Sequence, residues 1–178
     1  MPGTGTIRID SASRDATVAA GRVLGMQLRA GDVVAMDGDL GAGKTTLTTG
    51  IAEGIGCMGA VSSPTFVLAM EHDAGTNGLP LHHYDLYRLD STQDFLQTGL
   101  DEAFDADGVC VVEWAEIARD TLPDNRIGIS LRYTGETCRR IEMVFHGPDG
   151  LERAERLAGL LRDVTGITLV TEGKDFPL

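Results

Sequence analysis

The stretch Gly38-Asp39-Leu40-Gly41-Ala42-Gly43-Lys44-Thr45 carries the most specific chemistry in this 178-residue chain. It satisfies G-x-x-x-x-G-K-[ST] at every fixed position. The glycines let the backbone curl until successive N–H groups face one anion. A helix starting at Lys44 aims the positive end of its dipole at the same point. Lys44 supplies an ammonium for the β- and γ-phosphates of a nucleotide, and Thr45 a hydroxyl for Mg²⁺. The pattern predicts ATP bound with magnesium. It does not say what the nucleotide is used for.

Other residues could complete such a site. Glu113 closes the apolar run Val109-Cys110-Val111-Val112, and a charge there lands on the ligand-binding edge of a parallel sheet. It could back up a magnesium ligand or orient a water; the plain alternative is a capping or surface glutamate. Asp85 follows the expected strand Leu81–Tyr84 and could reach the metal through water or cap the next turn. Thr65 lies in the loop Ser62-Ser63-Pro64-Thr65, at a place where P-loop enzymes often carry a switch ordered by the γ-phosphate. His82 and His83 are adjacent, so on a strand they face opposite sides and read as ordinary packing. Trp114, the one tryptophan, could cover the site, contact a partner or fill the core.

These residues need a scaffold. Ile7 and Ile9 alternate with polar residues as in a short strand. Ser11 or Ser13 can cap a helix running to about Leu28. Val33–Met36 is an uninterrupted apolar run, expected of a strand buried on both faces, and a helix from Lys44 to about Gly54 follows the loop. Phe66–Met70 and Leu81–Tyr84 read as strands around a turn cluster at 73–78. Asp94–Phe104 reads as a helix interrupted near Gly99. Val109–Val112 is a second apolar strand. Ile127–Tyr133 and Ile141–Phe145 read as a hairpin, and Leu151–Val164 as an amphipathic helix. Residues 166–178 read as a loose tail. The fold class expected is α/β: a P-loop type, mixed but mostly parallel sheet flanked by helices, with β-hairpins, in a single domain over residues 1–178.

Composition narrows the classes. No apolar run approaches the ~20 residues that a bilayer-spanning helix needs. The N-terminus lacks a basic region followed by an apolar stretch, so no secretory signal is read. Cys57, Cys110 and Cys138 form no C-x-x-C pair, which argues against a disulfide framework or a zinc site and for a cytoplasmic setting. The net charge of −12 disfavours direct binding of RNA or DNA, whose affinity rests on Lys and Arg meeting phosphates. In a nucleic-acid pathway a basic partner would do the holding.

With these residues in place, the chain resembles the bacterial TsaE (YjeE) family, the ATPase of the tRNA threonylcarbamoyladenosine-modification machinery. The resemblance rests on Gly38–Thr46, Ser63-Pro64-Thr65-Phe66, His83-Tyr84-Asp85-Leu86-Tyr87-Arg88-Leu89, and Val112-Glu113-Trp114 followed by Leu122-Pro123. It spans roughly Ile9 to Phe145. It implies ATP along Gly41–Thr46, Thr45 and Glu113 near Mg²⁺, Thr65 as a switch and Asp85 as an active-site carboxylate. It also implies that the start of the first helix, Ser13 to Thr17, and a hairpin arginine, Arg139, approach the nucleotide. The implied partner is a TsaB–TsaD pair that handles the tRNA and is reset by ATP hydrolysis; tRNA would be met only through that pair. The expected chemistry is attack of water on the γ-phosphate, slow without a partner, with Arg88 as a candidate cis arginine. Three rivals share the loop. A small-molecule kinase would carry an arginine-rich lid. A GTPase would carry Asn-Lys-x-Asp, which is absent. A nucleotide-gated binding module would need no turnover.

Overall fold

The structure is a computed structural model that describes residues 3–59, 61, 68–105 and 107–170. Two apolar runs set its centre. β2 (Val33–Asp37) and β5 (Val109–Glu113) are buried along both faces, which requires cover on both sides of the sheet. Around them stand β1 (Gly5–Ser11), β3 (Ala69–His72), β4 (Leu81–Asp85), β6 (Ile127–Tyr133), β7 (Arg139–Phe145) and β8 (Ile167–Leu169). The helices are α1 (Arg14–Gly25), α2 (Lys44–Ile55), α3 (Thr92–Thr98) and α4 (Gly150–Leu161), with 3-10 turns at Leu100–Asp105 and Ala115–Thr121.

Among the described residues the strands form one sheet in the order β3-β4-β5-β2-β6-β7-β1-β8. Pairing is parallel across β4, β5, β2 and β6 and antiparallel on both flanks. The α/β class and the two hairpins follow the sequence. The parallel part is the centre of the sheet and not its larger share. On one face α1, α2 and α4 close over Ile9, Val34, Met36, Val111, Ile129 and Met143. On the other, α3 and the 3-10 turns cover only the central strands, with Phe95, Ala115 and Ala118 against Val33, Ala35, Tyr84 and Val112. β1, β6 and β7 therefore alternate between buried and partly exposed residues.

α1 meets α2 backbone to backbone. A Cβ on Gly50 would collide with the Val18 carbonyl, and one on Gly21 with that of Leu47. This close contact fixes the start of α1 relative to the phosphate loop. α1 ends at Gly25, earlier than the expected Leu28. β3 begins at Ala69; residues 66 and 67 lie outside the described residues. α3 stops at Gly99, whose φ of +70° is left-handed, and continues as a 3-10 turn.

The tail expectation needs correction. Residues 167–169 form β8, antiparallel to β1, and the Val170 N–H donates to the Arg8 carbonyl at 2.8 Å. β1 has β7 on one side and would otherwise present an unpaired edge on the other. That demand outweighs the shortness of the run. Residues 171–178 lie outside the described residues.

Candidate functional site

Three parallel strands deliver their last residues to one edge of the sheet. β2 runs from Asp37 into the loop, β4 ends at Asp85 and β5 at Glu113. Glu113 is in register with Asp85 on one side and Met36 on the other. Ligands of open α/β sheets bind at this edge.

The loop has the backbone its glycines predict. Gly38, Gly41 and Gly43 take φ of +146°, +78° and +109°, and a Cβ on Gly41 would stand 2.5 Å from the Tyr133 hydroxyl. α2 starts on Gly43 with no side-chain cap, so its first N–H groups are left for an anion. Lys44 is buried. Its ammonium donates to the carbonyls of Gly38 and Asp39 and lies 3.9 Å from the Trp114 ring centroid. Burial lowers its pKa, and Glu113, Glu116, Asp85 and Asp39 pull it back up. Trp114 is left-handed, with φ 59° and ψ 45°. Such strain costs about 1–3 kcal/mol and marks functional positions; here it turns the chain out of β5 and lays the indole on Lys44.

Glu113 is 2% exposed. Its Oε2 accepts from the Thr45 hydroxyl at 3.0 Å. Its Oε1 is 3.2 Å from the Thr48 hydroxyl and 2.8 Å from His83 Nε2. Asp85 is also buried and accepts from the Tyr87 N–H at 3.3 Å. Lys44, Thr45, Asp85, Glu113 and Trp114 line a cavity of about 170 Å³, with Leu40 at its rim. Across Gly41, Gly43 and Thr46 lies a second cavity of about 200 Å³, bounded by Arg14, Thr17, Glu136, Thr137 and Arg139. Arg139 donates to the Ala42 carbonyl at 2.9 Å and stacks 4.2 Å from the Tyr133 ring centroid.

Gly38–Thr46, Asp85, Glu113, Thr17 and Arg139 are thus brought together. Ser13 stands beside them, but its hydroxyl caps α1 by accepting from the Ala16 N–H at 3.1 Å. Thr65 lies outside the described residues. Arg88 is exposed, 5.5 Å from the Tyr87 ring centroid. His82 points out toward Glu71. His83 is not ordinary packing, because it reaches Glu113. Sequence reasoning missed the roles of His83, Thr48, Glu136 and Thr137, while Arg14 falls in the Ser13–Thr17 stretch it singled out. Thr48 had a usable signal: it lies one helical turn beyond Lys44.

These geometric features fall inside a region shared with known proteins. A family model described as threonylcarbamoyl adenosine biosynthesis protein TsaE matches residues 11–141. The chain belongs to the TsaE family. Among its relatives, the tRNA threonylcarbamoyladenosine biosynthesis protein TsaE of Bacillus subtilis is 43% identical over 125 residues, 70% of this chain and 77% of that one. The protein of the same name from Streptomyces coelicolor is 45% identical over 70% of this chain and 84% of its own. That of Treponema pallidum is 40% identical over 76% of this chain and 98% of its own. The crystal structure of YdiB from Bacillus subtilis superposes with a TM-score of 0.65 at 34% identity, covering 91% of this chain and 96% of that one. The candidate site residues named above, from Ser13 to Arg139, lie within the matched span. Among the described residues no helix is long and apolar enough to cross a membrane.

Proposed function

We propose that this TsaE-family chain binds and hydrolyses ATP with Mg²⁺ and serves tRNA threonylcarbamoyladenosine modification by acting on a TsaB–TsaD pair. The observation that carries the reading is the convergence of Lys44, Thr45, Asp85 and Glu113 at one buried sheet edge, beside a cavity reached by Thr17 and Arg139.

The donor set suits the proposed metal. Thr45, Glu113 and Asp85 offer hard oxygens, as Mg²⁺ prefers. Among the described residues no three His, Cys, Asp or Glu converge on a metal cage, and magnesium in such enzymes relies on one or two carboxylates together with substrate phosphates. Thr45 would hold the ion with Glu113 and Asp85 behind it, and its contribution when bound is to neutralise charge on the β- and γ-phosphates. The chain does the rest. Loop N–H groups and Lys44 stabilise negative charge as water attacks the γ-phosphorus and the bond to the bridging oxygen breaks. Glu113 or Asp85 orients the water. The cavity beyond Gly41, flanked by the Arg14 and Arg139 side chains, is sized for a base and ribose edge.

The test is retention of purified TsaB–TsaD by this protein with and without ATP–Mg²⁺, alongside Lys44→Ala. The expected result is nucleotide-dependent retention, with turnover lowered at least ~100-fold in the variant. ATP binding without retention would discard the partner assignment. Phosphate appearing on an added metabolite would replace the reading with that of a small-molecule kinase.

A further inference from the structure

The proposed mechanism leaves a fully buried histidine unused. His83 is fully buried on β4, two residues before Asp85. Its Nε2 lies 2.8 Å from Glu113 Oε1, while Nδ1 is buried with no partner among the described residues. An imidazole that only filled space would be a poor choice there, since a buried polar atom without a partner is costly and an apolar side chain would avoid it. The ring's direct cross-strand neighbours are apolar, and the buried His72 stands diagonally from it on β3, close enough to act on it electrostatically, with its own Nε2 also without a partner among the described residues. Across the parallel register stands Val111, and across the antiparallel one Met70. Glu113 is the group with which the ring shares a hydrogen bond among the described residues.

We infer that His83 is a positioning residue for Glu113. This deepens the proposed ATP–Mg²⁺ reading and rests on it. A glutamate at a strand end has three side-chain torsions to fix. His83 holds Oε1 from β4 at 2.8 Å, while the Thr48 hydroxyl on α2, 3.2 Å from that oxygen, shares its proton with the Lys44 carbonyl at 3.0 Å. With that oxygen anchored, Oε2 is left directed at the Thr45 hydroxyl, which it meets at 3.0 Å. The Nε2 proton goes to the carboxylate, since the carboxylate can only accept and Nδ1 makes no hydrogen bond among the described residues. Backing groups of this kind fix the orientation of a carboxylate around a metal, and their loss costs ~10–100-fold in metal affinity or activity. The parallel β4–β5 register makes the contact possible. It sets Asp85 beside Glu113 and His83 beside Val111, which lets the histidine reach forward along the strands.

Two variants separate positioning from packing. His83→Leu keeps apolar volume and removes the donor. His83→Gln places an amide N–H near the former Nε2. Binding of ADP is followed through the fluorescence of Trp114, with and without Mg²⁺, together with thermal unfolding and ATP turnover over a magnesium titration. In His83→Leu the magnesium concentration for half-maximal response should rise ~10-fold or more, with metal-free ADP affinity unchanged. His83→Gln should recover most of the loss. In the ¹⁵N-labelled wild type, NMR should find His83 protonated at Nε2 and bare at Nδ1. An unchanged magnesium requirement in His83→Leu would overturn the inference, as would equal impairment of both variants tracking a common fall in Tm. If wild-type protein itself shows no magnesium-dependent nucleotide binding, the ATP–Mg²⁺ reading fails, and the inference with it; magnesium-dependent binding in wild type with no effect of His83→Leu fails the inference alone.

Discussion

Glu116 places a titrating carboxyl next to the loop lysine. Its backbone N–H donates to Asp37 at 2.9 Å. Although Glu116 is exposed, partial desolvation, and then the hydrogen bond with the Asp37 side chain, push its pKa from an ordinary 4.5 up to about 7, while Lys44 draws it partly back. The folded chain therefore holds this proton more tightly than the unfolded chain does. That linkage stabilises the fold fully below about 4.5 and fades as the pH rises through about 7. Glu116→Gln fixes the neutral form. Its Tm should match wild type near pH 4, exceed it increasingly as the pH rises to about 7 and hold that lead at pH 8; parallel Tm curves across that range would remove Glu116 from the account. At this scale the sequence was legible where a motif states both residue type and spacing. Lys44, Thr45 and the glycines are of that kind, and Glu113 and Asp85 stand at strand ends that hydropathy marks. His83 was not legible, because its contact depends on the register between β4 and β5, and no local pattern encodes that. Glu116 was hidden for a similar reason: its partner Asp37 is distant in sequence and comes close only when β5 turns at Trp114.

The elements make separate predictions through their glycines. Gly50 faces α1 across a contact with no room for a side chain, so Gly50→Ala should destabilise the protein by about 2–3 kcal/mol in denaturant unfolding, despite alanine's better helix propensity. Gly159, exposed on α4 with nothing within 4 Å of an added Cβ, should respond in the opposite sense, with Gly159→Ala stabilising by about 0.5–1 kcal/mol. A stabilising Gly50→Ala would show that α1 and α2 are not joined backbone to backbone, and a destabilising Gly159→Ala would show that helix propensity does not govern this position of α4. Long periodic elements such as α1, α2 and α4 could be read from sequence to within a few residues. β8 could not, because three residues are too few for alternation to show and its place is decided by the open edge of β1. A chain ending at residue 165 should therefore lose more stability than one ending at residue 170, since the pair differs by β8 and its bond to Arg8; equal stabilities would make β8 dispensable.

Across the whole molecule, charge is unevenly spread. Eleven of the 27 acidic residues and only two of the fifteen Lys and Arg lie between Asp85 and Asp124. That segment spans α3, both 3-10 turns and all of β5, so most of the −12 net charge gathers over one face and the adjoining site edge. A surface of this sign repels a polyanion and steers a basic protein surface toward it. Two outcomes follow for the proposed partnership. The isolated chain should not retain tRNA even at low salt, where phosphate contacts are strongest. Its association with the TsaB–TsaD pair should weaken about tenfold or more between roughly 50 mM and roughly 500 mM KCl, chiefly through a slower on-rate, because the Debye length falls to a few ångströms over that range. Surface plasmon resonance over a salt series measures both constants. A salt-independent on-rate would mean that docking is governed by apolar contacts such as the exposed Leu40, Tyr87 and Leu96 side chains. The acidic face would then serve solubility alone.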